Sequence, residues 1–132
     1  MRAGDLPEAV RRLIADYIDS VEQLEILLLL YQHPERSWSA ESVARELRIS
    51  AMSAGDRLKD MARAAILSKV PGAEGEYRYT PDPQMGEAVA GLATAYSERR
   101  VTVINLIFSK PVDKIRTFAD AFRLRRDDDD NG

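Results

Sequence analysis

The side chains best able to do chemistry lie in the middle of the chain, and most of them are cations. Residues 36–78 hold eight Lys or Arg against six Asp or Glu, whereas the whole chain of 132 residues has a net charge of −3. Lys and Arg bind phosphate oxygens, and polar side chains hydrogen-bond to base edges. Each cation taken singly also fits a solvated surface. Together, if a DNA-binding fold presents them on one surface, they favour contact with DNA, and the residues that we expect to provide it are Arg45, Arg48, Ser50, Met52, Ser53, Arg57, Lys59, Arg63, Lys69 and Arg78.

The residue types that catalysis needs are scarce. The chain has one His and no Cys, and it shows no Gly-rich phosphate loop, no paired metal ligands and no nucleophile elbow. His33 stands beside a predicted helix end, where we expect a capping or surface role because metal sites need several ligands. The sequence therefore argues against an enzyme, a metal site and a cofactor.

Two short helices joined by a tight turn position most of the candidate residues. Ser39 can cap the first helix, in which Val43, Ala44 and Leu47 form an apolar stripe. Ser50 can cap the second, whose apolar residues recur on one helical face, namely Ala54, Leu58, Met61 and Ala65. This pattern indicates a helix-turn-helix, whose second helix is built to enter a DNA major groove.

A β-hairpin is expected directly after the second helix. Two short alternating runs, 67–70 and 76–80, surround a loop rich in Pro and Gly. Residues 37–39 are β-prone as well, and we expect Trp38 among them in the core, with an exposed position as the alternative. Lys69 and Arg78 stand on the strands, where they can reach phosphate, whereas the tip of the hairpin carries Glu74.

The same segment resembles winged helix-turn-helix regulators, the MarR-like group among them. The resemblance covers roughly residues 20–81 and is carried by Leu47, Ile49, Ser50, Ser53, Leu58, Met61 and Ala65-Ile66-Leu67. Such proteins usually have Gly where this chain has Arg48, which must therefore enter a left-handed or bridging conformation. The resemblance implies a bacterial DNA-binding transcription regulator, and it specifies the fold better than the ligand.

The expected fold is mainly α with a small β-wing. An N-terminal helix is expected in residues 1–19, the winged helix-turn-helix domain in 20–81, a C-terminal helical dimerisation region in 82–126, and a disordered acidic tail in 127–132. Asp5 can cap the first helix, with Pro7 near its start, and Ser20 with Gln23 forms a capping box for the second. Helices are predicted over 5–18, 20–32, 39–47, 51–65, 84–109 and 112–123.

A homodimer is expected because the C-terminal region has more apolar surface than one small core can cover. Successive helical residues turn by about 100°, so the apolar run 101–108 cannot face one side. A symmetric dimer would cover the remainder, whereas the alternative is that the N-terminal helix covers it within one chain. The residues predicted at the interface are Leu92, Tyr96, Val103, Ile104, Ile107, Phe108, Phe118 and Phe122.

Two further alternatives stay open at the level of sequence. The acids Asp56, Asp60, Glu74 and Glu76 fit a winged helix that docks a protein partner and does not read DNA. The run Asp127–Asp130 fits a solvated tail or a nucleic-acid mimic that folds back on the cations. No signal peptide is evident, and the longest apolar run is too short for a bilayer, so we expect a cytoplasmic protein without membrane contact.

Overall fold

The computed structural model describes residues 6–109, which form six helices and one small sheet. The elements in chain order are α1 (Glu8–Tyr17), α2 (Val21–Gln32), β1 (Ser37–Ser39), α3 (Ala40–Leu47), α4 (Ala51–Arg63), β2 (Leu67–Lys69), β3 (Glu76–Tyr79), α5 (Pro83–Glu98) and α6 (Arg100–Phe108). The expected mainly helical architecture with a small β-wing is confirmed. The predicted helix over 112–123, the tail and the Asp5 cap lie outside the described residues.

The wing is an antiparallel sheet with the strand order β1-β3-β2. Tyr77 at its centre lies opposite Trp38 on one side and Lys69 on the other. Trp38 is 1% exposed, which confirms its predicted place in the core, and the Arg36 guanidinium lies 4.0 Å from the centroid of its ring. The strand β1 therefore fastens the wing to the helical core.

The helix α2 lies at the centre of the molecule, packed against α3, α4, α5 and β3. Its apolar residues point in nearly every direction, and a helix of this kind is stable only when it is covered on most sides. The buried members are Leu24, Ile26, Leu27, Leu28 and Leu30. The helix α1 covers another part of the core by packing on α5 and α6.

Serine side chains cap three of the helices, as the sequence predicts. The Ser39 and Ser50 hydroxyls accept hydrogen bonds from the backbone N–H groups of Ser42 and Ser53 at 3.1 and 3.0 Å. Ser20 accepts from the Gln23 N–H at 3.1 Å, but the Gln23 side chain accepts from Asp19 rather than from Ser20. The box at the start of α2 is thus displaced by one residue, and α1 starts at Glu8 after Pro7 without a side-chain cap.

The single helix predicted over residues 84–109 is wrong, because the chain breaks at Arg99. The backbone of Arg99 has φ −137° and ψ 55°, outside the helical region, and separates α5 from α6. The four residues from Val101 to Ile104 are all β-branched, and such residues lower helix propensity. Apolar residues recur at spacings of three, four and seven from Met85 to Ile107, and this heptad-like pattern does not reveal the break.

Four of the predicted interface residues lie in the core of a single chain. Leu92, Val103 and Ile107 are at most 2% exposed, and Tyr96 is 9% exposed. The helix α1 packs against both α5 and α6 and covers these side chains within one chain, and their predicted place at a dimer interface stays a prediction. Of the remaining described members, Ile104 is half-buried and Phe108 is 61% exposed.

Candidate nucleic-acid interface

The helix α4 has two opposite faces. Ala54, Leu58 and Met61 are buried and fasten the helix to the core. On the other side, Met52, Asp56, Lys59 and Arg63 are exposed at spacings of four, three and four residues, which place them on one stripe. We call these four residues the outward stripe. Because the apolar face fixes the rotation of the helix, the outward stripe is the surface that α4 presents to solvent.

A cleft of about 550 Å³ lies between α4 and β2 and gathers three of the predicted cations. Lys59 and Arg63 come from the helix, and Lys69 comes from the strand. Leu67, Ser68 and Tyr77 also line the cleft. We call Lys59, Arg63 and Lys69 the basic cleft. Three positive charges around one concave surface raise the local positive potential, which attracts anions such as phosphate.

Arg78 is not part of the basic cleft. It lies opposite Ser68 on the exposed face of the sheet, next to the buried Tyr77. Arg45 and Arg48 are exposed on α3 and at the turn after it. The structure thus distributes the predicted phosphate contacts over three surfaces, of which only the basic cleft combines the helix with the wing.

Ser53 and Arg57 lie on the flank of α4 that faces α2. The Ser53 hydroxyl donates a hydrogen bond to the Glu22 carboxylate, and the Arg57 Nε lies 3.8 Å from the same carboxylate oxygen. The side chains of Arg57 and Glu22 are about two-thirds buried, so this pair is better protected from solvent than the pair of Asp60 and Arg63. Within the described chain, then, these two predicted DNA contacts are held by α2.

Glu22 is the functional neighbour that sequence reasoning missed. It precedes Ser53 by 31 residues, and no local pattern connects the first turn of α2 with α4. Its only signal in the sequence is an acidic residue near a helix start, which is common because it stabilises the positive end of the helix.

The turn between α3 and α4 has the geometry that the sequence requires. Arg48 adopts the left-handed conformation with φ 60° and ψ 48°, and the N–H of Ile49 donates to the carbonyl of Ala44 at 3.1 Å. This bond closes the end of α3 in the manner of a Schellman motif. Ser50 uses its hydroxyl to cap α4, which leaves Met52, 79% exposed, as the first prominent side chain of the helix.

Part of the acidic surface is engaged within the molecule. The Asp60 carboxylate lies 3.3 Å from the Arg63 guanidinium, and the Glu76 carboxylate accepts a hydrogen bond of 2.8 Å from Ser37. The exposed pair of Asp60 and Arg63 contributes little to stability. Glu74 is exposed at the tip of the wing.

Tyr79 ends β3 at the base of the wing. Its hydroxyl is buried, and its ring packs edge-on against Tyr31 with the centroids 5.8 Å apart. Burial, together with the nearby Tyr31, raises the pKa of Tyr79 to about 12. Tyr79 therefore stays protonated even in moderately alkaline solution.

Neither a metal site nor a membrane helix is found in the part of the chain that the structure describes. Between residues 6 and 109, no three His, Asp or Glu side chains come together in a group able to hold a metal ion. No helix in the same range is both long and apolar enough to cross a bilayer.

Comparison with solved structures confirms the winged-helix fold. The crystal structure of MepR, a transcription regulator of the Staphylococcus aureus multidrug efflux pump MepA, matches with a TM-score of 0.52. The match covers 89% of this chain and 87% of that chain at 12% sequence identity. No family model and no curated protein matches the chain by sequence. The chain thus has the winged-helix architecture that the residues around the turn predict.

Proposed function

We propose that the protein is a DNA-binding transcription regulator that acts as a homodimer. The outward stripe of α4 enters the major groove, and the cations of the wing contact the phosphate backbone. The observation that carries this proposal is the basic cleft, where Lys59, Arg63 and Lys69 meet between the helix and the wing. In a helix-turn-helix the second helix reads the groove, and cations beside it fix the orientation of the protein on the duplex.

The similarity to MepR supports the proposal at the level of architecture. That protein is described as a transcription regulator, and the two chains share most of their length in the structural match. A structural match at 12% identity shows the fold. It does not indicate which DNA sequence this chain would recognise.

An exposed apolar stripe on α6 supports the homodimer. Val101 and Phe108 are 70% and 61% exposed, and the half-buried Ile104 lies between them at helical spacing. Soluble monomers rarely leave contiguous apolar surface in water, and twofold symmetry is the commonest way to cover it. A dimer would also present two copies of α4 to successive major grooves about 34 Å apart.

The second candidate is a winged helix that binds a protein partner. It is favoured by the exposed carboxylates of Asp56 on the outward stripe and Glu74 at the wing tip, both of which would repel phosphate. We prefer DNA because Lys59, Arg63 and Lys69 meet in one cleft, and because Glu76 has a partner in Ser37 within the molecule.

Charge reversal in the basic cleft distinguishes the two candidates. Lys59→Glu and Arg63→Glu should each abolish detectable binding to duplex DNA at moderate salt, because a phosphate attraction becomes a repulsion. Arg11→Glu, on the exposed side of α1, makes the same change of charge away from the cleft and should retain binding. Fluorescence anisotropy with a labelled random-sequence duplex measures all three. Unchanged affinity in both cleft variants would favour the protein-binding module.

A further inference from the structure

The outward stripe contains one negative charge among residues that would otherwise suit DNA. Asp56 lies one turn after Met52 and three residues before Lys59, at the middle of the exposed face of α4. The opposite face is fixed by Leu58 and Met61, which are 0% and 1% exposed, so the helix cannot rotate to turn Asp56 away. A duplex that binds the outward stripe of α4 must therefore also come close to this carboxylate.

The side-chain carboxylate of Asp56 has no hydrogen bond or ion pair with another residue in the range 6–109. Its neighbour Arg57, which could have neutralised it, is directed to Glu22 on α2, with the Nε 3.8 Å from the carboxylate. Arg63 is engaged by Asp60 at 3.3 Å. The carboxylate of Asp56 thus reaches the interface with its hydrogen-bonding capacity unused.

An ionised carboxylate only accepts hydrogen bonds, and this restricts what it can meet in a major groove. Guanine presents the acceptors N7 and O6, and thymine presents the acceptor O4. Adenine offers the N6 amino group but places the acceptor N7 beside it. Cytosine offers the N4 amino group and has no acceptor on its own major-groove edge, where C5–H follows N4, so cytosine is the base that a carboxylate tolerates best.

We infer that Asp56 is a specificity-determining residue that accepts a hydrogen bond from the N4 amino group of a cytosine in the major groove. The inference rests on the proposed function. The carboxylate weakens binding to most sequences because it repels phosphates and base acceptors. A hydrogen bond from cytosine compensates this loss of affinity where a cytosine lies opposite it. Asp56 thereby gives selectivity to a helix whose other outward residues, Met52, Lys59 and Arg63, include no Asn or Gln to read adenine.

Selection of bound sequences from a random duplex library tests the inference. Wild type should enrich cytosine at one position of its motif, and Asp56→Ala should lose that preference while retaining the others. Asp56→Asn should change the preference at the same position to adenine, because an amide can both donate to N7 and accept from N6. Asp16→Asn, an exposed residue of α1, removes the same charge elsewhere and should select the wild-type motif.

Affinities for two defined duplexes complete the test. Asp56→Ala should bind the wild-type motif about tenfold more weakly, as is usual for one mismatched base pair, and should bind random DNA more tightly. The inference would be overturned if the wild-type motif contained no such cytosine, or if Asp56→Ala selected the same motif as wild type. Either result would leave the proposed function intact. If wild type binds no DNA at low salt, the inference and the proposed function both fail.

Discussion

Each helix of the helix-turn-helix is followed by a residue other than glycine whose backbone is left-handed. Arg48 follows α3 and Ala65 follows α4, both in the left-handed region, at φ 60° and 63°. Side chains with a Cβ are strained there by roughly 1–2 kcal/mol, and the cost persists because backbone hydrogen bonds fix the turns. After α4, the N–H of Ile66 donates to the carbonyl of Met61 at 3.0 Å. The chain thus stores strain on both sides of α4.

Replacing Ala65 by Gly should relieve one of these strains. Ala65→Gly is expected to raise the free energy of unfolding by about 1 kcal/mol, less the extra entropy that Gly gains in the unfolded chain. Ala15→Gly, in the exposed side of α1, should instead lower it by about 1 kcal/mol because Gly is a poor helix former. Urea unfolding followed by circular dichroism measures both. A loss of stability in Ala65→Gly would contradict the strained geometry.

The residue types predicted caps and turns well where neighbouring residues determine the backbone conformation. Ser39 and Ser50 were recognisable as caps because a serine before an apolar helical stripe satisfies the free N–H groups of the next turn. The left-handed turn at Arg48 followed from its place in the helix-turn-helix pattern. The same conformation at Ala65 was not predicted, because alanine is the best helix former and gives no sign of a turn.

At the scale of elements, the approach of α1 to α5 depends on a glycine. A Cβ built on Gly91 would lie 2.9 Å from the Cγ2 atom of Val10, which is closer than side chains tolerate. Val10 is 1% exposed and β-branched, so it has little freedom to withdraw. The small residue at position 91 therefore sets the distance between the two helices that cover the core.

Gly91→Ala should destabilise the protein even though alanine favours helix. The overlap with Val10 is expected to cost about 1–3 kcal/mol, of which a gain in helix propensity of about 1 kcal/mol offsets part. Gly86→Ala in the same helix is the matched control, because its Cβ would meet Pro81 Cγ at an ordinary 3.6 Å. That variant should be stabilised by up to about 1 kcal/mol. Equal shifts in thermal unfolding for the two variants would refute the close approach.

Contacts between distant elements marked the limit of what the sequence could predict. The helices and the wing were recognisable from periodicity and turn residues, since both are properties of short segments. The bond from Ser53 to Glu22 depends on how α2 crosses α4, and that geometry emerges only when the core is packed. The burial of Val103 and Ile107 by α1 has the same origin, because periodicity shows an apolar face without showing which element covers it.

At the scale of the whole molecule, the outer face of α6 is the proposed dimer contact. Val101→Asp should convert a dimer at micromolar concentration into a monomer, because a carboxylate on an apolar interface is costly to desolvate. Val101 is 70% exposed, so the variant should fold normally, whereas the same change at Ile107, 2% exposed, would damage the core. Thr94→Asp on the exposed side of α5 is the control. Light scattering that reports a wild-type monomer would refute the dimer.

The most direct test of DNA binding is the dependence of affinity on salt. Each phosphate neutralised by a Lys or Arg contributes about −0.9 to the slope of log K against log salt concentration. With the three cations of the basic cleft engaged, the slope for a random-sequence duplex should be about −3 or steeper for each winged helix. Fluorescence anisotropy over a series of salt concentrations gives this slope. A slope near zero, or no binding at low salt, would contradict a function in DNA recognition.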